Sequence, residues 1–228
     1  IPLNYTKTPP VLSTVLDIIK LRTAAKKIHR ENKIDMVHTR PGVPELVGLW
    51  MKKTMGVKFL NDIREFYADS RVEGGMWKLS NPLYKAVYNF FKRREMESVL
   101  QSDGIVCLTY SAEKIIKGWK EYKRNIPLQV IPCSADLELF DPGKISESEK
   151  TTLRSALNIS KDDFVISYLG SVGGWYLVDE MMQFCKVLTD KVRTAKILFI
   201  SPHRHDEICL AAARHGIGSD KVIIQKAN

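Results

Sequence analysis

The chain has 228 residues, 44% of them hydrophobic, and its 35 Lys and Arg against 26 Asp and Glu give a net charge of +9. That is enough apolar material for one large domain or two modest ones, and no apolar run is long enough to span a bilayer. The N-terminal IPLNYTKTPPV has neither an apolar signal core nor an initiator Met, so the sequence reads as an excised or partial piece. Cys107, Cys133, Cys185 and Cys209 are widely spaced and form no CxxC pair. They read as free, buried thiols rather than disulfides or zinc ligands, which points to a reducing, cytoplasmic compartment. The positive charge suits a solvated surface, an anionic membrane face or an anionic ligand. No aromatic-basic RNA-binding signature or zinc finger is present, so nucleic acid is not an expected partner.

In chain order, IDMVHT predicts a strand, PELVGLWMKKTM a helix and VKFLNDI a second strand. A long helix is expected from Asn81 to about Leu100, with Asn81 as its cap and Pro82 at the first helical position. GIVCLT predicts a strand, SAEKIIKGWKEY a helix capped by Ser111, and LQVIPC a strand. A polar connection follows from Asp136, with a short helix near Glu147 to Leu157. The pattern then restarts. FVISYL predicts a strand, the segment after Gly174 a helix, AKILFI a strand, DEICLAAARHG a helix ending at Gly216, and KVIIQ a strand.

Strands alternating with helices predict parallel sheets wound from βαβ units, and the apolar strand runs predict sheets covered on both faces. Two α/β domains are expected, residues 1–160 and 161–228, with an opening strand missing from the first and several elements missing from the second. In such sheets ligands bind at the carboxyl ends of the strands. Those ends carry His38-Thr39-Arg40, Asn61-Asp62-Ile63-Arg64, Thr109-Tyr110-Ser111, Ser134-Ala135-Asp136, Gly170-Ser171 and Ser201-Pro202-His203-Arg204-His205. Each has a plain structural reading: His38 as a core histidine, Asp62 and Arg64 as a mutual pair, Asp136 as a cap. Together they gather cationic and small polar groups on one edge of both sheets, which suits an anionic, polyhydroxylated ligand. Gly170, Gly173 and Gly174 lie in a strand-to-helix turn. Missing side chains there admit a phosphate to backbone N–H groups, or serve a tight turn and close packing. The spacing is not GxGxxG, and the following strand ends in SPHRH with no acidic residue for a ribose, which disfavours a nicotinamide dinucleotide.

The segments DMVHTR, FLNDIREFYADSRVEGGMW, SDGIVCLTYSAEKII, VIPCSADLELFDP and YLGSVGGWY occur in that order over nearly the whole chain. In these the sequence resembles retaining glycosyltransferases of the GT-B fold, family 4, and a bacterial subgroup that builds surface polysaccharides such as capsule. The resemblance implies two Rossmann-like domains facing a cleft, and transfer of a sugar from a nucleotide-diphosphate donor to a glycan or lipid-linked acceptor, with retention and without cofactor or metal. It implies that His38, Arg40, Asp62 and Arg64 arrange the acceptor and carry the catalytic role. It likewise places Gly170, Ser171, Gly173 and Gly174 at the donor diphosphate, and strand-end position adds His203 or Arg204 as an assisting group. The family often has an arginine directly after the glycine turn and a lysine soon after. Here Ser171 and Val172 follow Gly170, and no Arg or Lys appears until Lys186. A sugar-nucleotide epimerase of the same architecture and a non-catalytic nucleotide- or sugar-binding module are the alternatives. The positive charge and the long helix also fit a lipid-linked acceptor at the inner membrane face.

Overall fold

The computed structural model describes residues 12–123 and 125–226. The chain divides into two compact units between Ser134 and Ala135. The sequence places the change of domain near residue 160; the polar connection groups with the second unit instead.

In the first unit the elements run α1 (Leu12–Asn32), β1 (Met36–Thr39), α2 (Val43–Met55), β2 (Lys58–Ile63), α3 (Tyr67–Glu73), α4 (Pro82–Gln101), β3 (Gly104–Cys107), α5 (Tyr110–Lys117) and β4 (Leu128–Val130). The strands form one parallel sheet in the order β1-β2-β3-β4. Helix boundaries follow local chemistry. Pro44 opens α2, and α2 stops at Gly56, whose N–H reaches Lys52 O at 3.2 Å. Asn81 caps α4 as expected, its side chain accepting the Leu83 N–H at 2.9 Å. The cap of α5 is Thr109, whose Oγ1 accepts the Ala112 N–H at 3.0 Å, and not Ser111, which lies inside the helix. The core forms where α2, α4 and α5 meet the sheet. Val47, Met51 and Val57 make one cluster, and Ile63, Val99, Ile105, Cys107 and Ile116 another.

The second unit contains α6 (Glu147–Ala156), β5 (Phe164–Leu169), α7 (Val178–Lys191), β6 (Ala195–Ile200), α8 (His205–Arg214) and β7 (Val222–Gln225). Its sheet is parallel in the order β5-β6-β7. Ser146 and Glu149 form a reciprocal capping box at the start of α6. Met182 and Cys185 from α7 and Ile208, Ala211 and Ala212 from α8 pack with Ile197 and Phe199 of β6. The expectation of sheets covered on both faces is not met here. Burial alternates along β6, with Ala195, Ile197 and Phe199 buried and Lys196, Leu198 and Ile200 only half-buried, while Leu169 of β5 is exposed. Alternation of this kind marks a strand with one packed face. Of the cysteines, Cys107 and Cys185 are buried, whereas Cys133 and Cys209 are exposed, contrary to the expectation of burial. Cys209 sits on α8 and Cys133 follows β4, both outside the packed faces. Among the described residues no helix is long and apolar enough to cross a membrane.

Candidate functional site

Two groups of side chains stand at the carboxyl ends of the strands, one in each unit.

In the first unit the centre is Asp62, near the end of β2 and 2% exposed. Its Oδ2 is 3.2 Å from His38 Nε2 at the end of β1 and 2.9 Å from Arg64 Nε. One buried carboxylate oxygen thus orients two side chains that are themselves open to solvent, His38 by 53% and Arg64 by 42%. The other oxygen, Oδ1, is buried without a partner among the described residues. An imidazole whose Nε2 faces a carboxylate presents its Nδ1 outward, the arrangement by which a histidine exchanges a proton with a hydroxyl. The pairing of Asp62 with Arg64 and the placing of His38 on the rim are therefore parts of one cluster. Arg40 is exposed on the loop after β1, and among the described residues no hydrogen bond or ion pair joins it to the other three. Asp136 is a local cap: its Oδ1 accepts the N–H groups of Glu138 and Leu139 at 2.9 and 3.0 Å.

The opposite side of the same strands holds an acidic pair that sequence reading passed over. Thr39 and Asn61 are register partners of β1 and β2, both buried. Asn61 Nδ2 donates to Glu45 Oε1 at 3.1 Å, from the first turn of α2. Glu45 is 3% exposed and Glu95 of α4 is 4% exposed. Burial pushes Glu45 up to about 7, with the neighbouring Glu95 charge adding and the Asn61 hydrogen bond opposing. Burial raises Glu95 as well, against its bond to Lys92 Nζ at 2.5 Å. Lys92 also holds Asp69 at 2.9 Å. The one signal in the sequence is a lone glutamate inside the apolar run PELVGLWM.

In the second unit the glycine turn follows β5. Gly173 and Gly174 have φ of +85° and +63°, and Tyr176 N–H closes the turn on Gly173 O at 3.2 Å. Gly173 is required twice over. Its backbone is left-handed, and a Cβ there would overlap Arg204 Nη1 and lie 2.9 Å from Glu207 Oε2. Arg204, just after β6, is thus set against the α-carbon of Gly173 and is ion-paired to Glu207 at 3.1 Å. It is itself left-handed, φ +63°, at the position before α8. Ser171 is exposed, with its carbonyl accepting Tyr168 Oη at 2.7 Å. His203 is exposed; its carbonyl accepts Ser201 Oγ at 3.1 Å, and His205 Nε2 lies 2.8 Å from Ser201 O. The structure therefore brings Gly173, Gly174 and Arg204 together, while His203 faces solvent without a bond to them among the described residues. A cation, Arg204, thus lies against this turn, carried by the segment between β6 and α8.

Parallel α/β units with polar groups at their strand ends are Rossmann-like. No known family model matches the sequence, and no curated protein does. Solved structures share the fold at low identity. A sucrose-phosphate synthase from Thermosynechococcus elongatus matches all of this chain with 53% of its own, at TM-score 0.68 and 16% identity. Anabaena HepE, solved in complex with UDP, matches 99% of this chain with 56% of its own, at TM-score 0.64 and 12% identity. A UDP-GlcNAc 2-epimerase from Neisseria meningitidis, bound to UDP-GlcNAc, matches 97% of this chain with 56% of its own, at TM-score 0.51 and 10% identity. The chain spans about half the length of these proteins.

Proposed function

We propose that the chain belongs to a glycosyltransferase that moves a sugar from a nucleotide-diphosphate donor to a glycan or lipid-linked acceptor, with retention, in polysaccharide assembly. The observation that carries this reading is the Arg204 guanidinium seated against Gly173 in a left-handed turn at the carboxyl ends of β5 and β6. Fold neighbours that hold UDP or UDP-GlcNAc support the nucleotide part. Glycosyl transfer places negative charge on the departing diphosphate, so fixed donors aimed at that charge lower the barrier. Ser171, Gly173 and Gly174 offer backbone at the turn, whereas the Gly170 N–H is already bonded to Ile200 O at 3.0 Å; Arg204 would supply the charge that the sequence after Gly170 does not. In the first unit, His38, oriented by Asp62, and Arg64 would hold and polarise the acceptor hydroxyl, with Arg40 as a further cation. The pair is one carboxylate and one imidazole rather than two facing carboxylates, which fits a route in which the donor phosphate takes the acceptor proton. No metal or cofactor is assigned a role.

The test is calorimetric titration of the full chain with UDP. Valine at Gly173 would strain the backbone and collide with Arg204, so it cannot report on ligand approach. Arg204→Ala is the informative variant, and we expect it to weaken UDP by about tenfold or more, the worth of a charge-assisted hydrogen bond. Ser171→Ala should cost about 0.5–1.5 kcal/mol. Equal UDP affinity in a folded Arg204→Ala protein would sink the donor seat. The epimerase neighbour favours a second reading, epimerisation of a nucleotide-sugar. Incubating UDP-GlcNAc without an acceptor separates the two, since only an epimerase converts it under those conditions.

A further inference from the structure

The rim of the first unit is carried by two loops, Arg40 to Gly42 after β1 and Arg64 to Phe66 after β2. They meet where Gly42 abuts the Tyr67 ring: a Cβ on Gly42, whose φ is +86°, would lie 2.6 Å from that ring. Behind each loop stands one buried glutamate. Glu45 is the third residue of α2, and Gly42 is the cap of that helix. A glutamate at that position reaches back to the N–H of the cap, and the Gly42 backbone faces the Glu45 carboxylate. Glu95 faces the Tyr67 backbone at the first residue of α3, where helical N–H groups lack internal partners. Two carboxylates thus hold the starting turns of α2 and α3, and the loops leading into those turns carry Arg40 and Arg64.

The layer around Glu45 can bond it in either proton state. Side chains alternate along a strand, so Thr39 and Asn61 face α2 while His38 and Asp62 face the rim. Asn61 Oδ1, Thr39 Oγ1 and the Oγ of Ser98 on α4 are buried with no hydrogen-bond partner among the described residues. An acid O–H finds an acceptor in such a set, and a carboxylate finds a donor. Charge separates the two states. Glu95 is tied to Lys92 at 2.5 Å, whereas no ion pair joins Glu45 to a cation among the described residues. Ionised, Glu45 sets a second buried negative charge facing Glu95, which is costly. From the remaining elements packed on α2, β1 brings the neutral Thr39, and α1 brings Asp17, paired to Lys20 at 3.6 Å.

We infer that Glu45 is a proton-controlled pin of the rim loops: protonated, it holds Gly42 against Tyr67; on losing its proton to water it is driven from Glu95, the start of α2 is released, and the two loops part. The inference concerns the loops and not the ligand they hold, so it goes beyond the transferase reading and stands or falls apart from it. Burial puts the change of proton near pH 7.

The experiment follows backbone amide signals by NMR between about pH 5 and 8.5. Gly42 reports the Glu45 proton directly, whereas Arg40 and Arg64 report the rim. We expect all three to share one inflection near pH 7 in the wild type, and Arg40 and Arg64 to lose it in Glu45→Gln. His38→Gln should keep it, which separates Glu45 from titration of the rim histidine. Where Glu45→Gln fails to fold, Glu95→Gln serves: without the facing charge the inflection should move down by about half a pH unit or more. An inflection confined to Gly42 overturns the inference, because the proton would then leave without moving the rim. So does a rim inflection that survives Glu45→Gln, disappears with His38→Gln or ignores Glu95→Gln.

Discussion

Glu45 shows how a single side chain couples the fold to pH. Its folded-state value of about 7 lies above the ordinary 4.5, with burial as the main cause. Between these values the folded chain keeps a proton that the unfolded chain has released. Stability therefore falls as pH rises from about 4.5 to about 7 and levels off above, by about 3 kcal/mol for this group. The groups facing Glu45 are Asn61, Glu95, Ser98 and the Gly42 backbone. Glu95 is also raised and acts in the same direction, whereas Glu97 and Asp103 are lowered and act oppositely. The contrast between wild type and Glu45→Gln isolates the one term. We expect Glu45→Gln to flatten the decline of melting temperature between pH 5 and 7, measured by calorimetry at half-unit steps. Parallel curves for the two proteins would show that Glu45 is already charged in the fold.

At the scale of elements, helix α2 approaches the sheet closely because residue 48 has no side chain. A Cβ on Gly48 would lie 2.8 Å from both Phe59 and Thr39 side chains. Gly48→Ala gains helix propensity but forces these neighbours apart. We expect a net loss of about 1–3 kcal/mol, as for other overpacked cores, read as a fall in urea midpoint; an unchanged midpoint would mean that α2 shifts freely. This contact was not legible in the sequence, where Gly48 is one small residue in an apolar helix. The strands and the principal helices were legible, because periodicity and the Asn81-Pro82 start survive any tertiary context. Two helices were not. The sequence of α1 is rich in Lys and Arg and shows little separation of faces. Helix α3 has seven residues, too few for a periodic signal. The α5 cap was misplaced by two positions because Thr109 and Ser111 are both good caps, and only the strand end decides between them. At the rims, strand position alone marked His38, Asp62 and Arg64 for attention. The meeting of Arg204 with Gly173 was not readable, since it depends on β5 and β6 being neighbours in register.

For the whole molecule, two units with separate apolar clusters should show separate protection. Phe59 of β2 is fully buried, and Phe59→Ala should cost about 3–5 kcal/mol in the first unit. We expect hydrogen exchange to quicken at Phe59–Ile63 and Ile105–Cys107 while Ile197–Phe199 of β6 keeps its wild-type rate. Uniform loss of protection in both sheets would show that they unfold as one.

The Arg204–Glu207 pair has a consequence for timing. On the proposed donor seat, a diphosphate reaching Arg204 would compete with Glu207, whose carboxylate already engages Nη1. Such a built-in competitor would weaken the ground-state grip and hasten departure of the spent nucleotide, at the expense of affinity. Removing the rival charge while keeping its shape, Glu207→Gln, should tighten UDP several-fold and slow its release, measured by stopped-flow displacement. Where release limits turnover, the variant would bind better and work more slowly. A diphosphate that binds Glu207→Gln no more tightly than wild type would place its charge elsewhere than on Arg204.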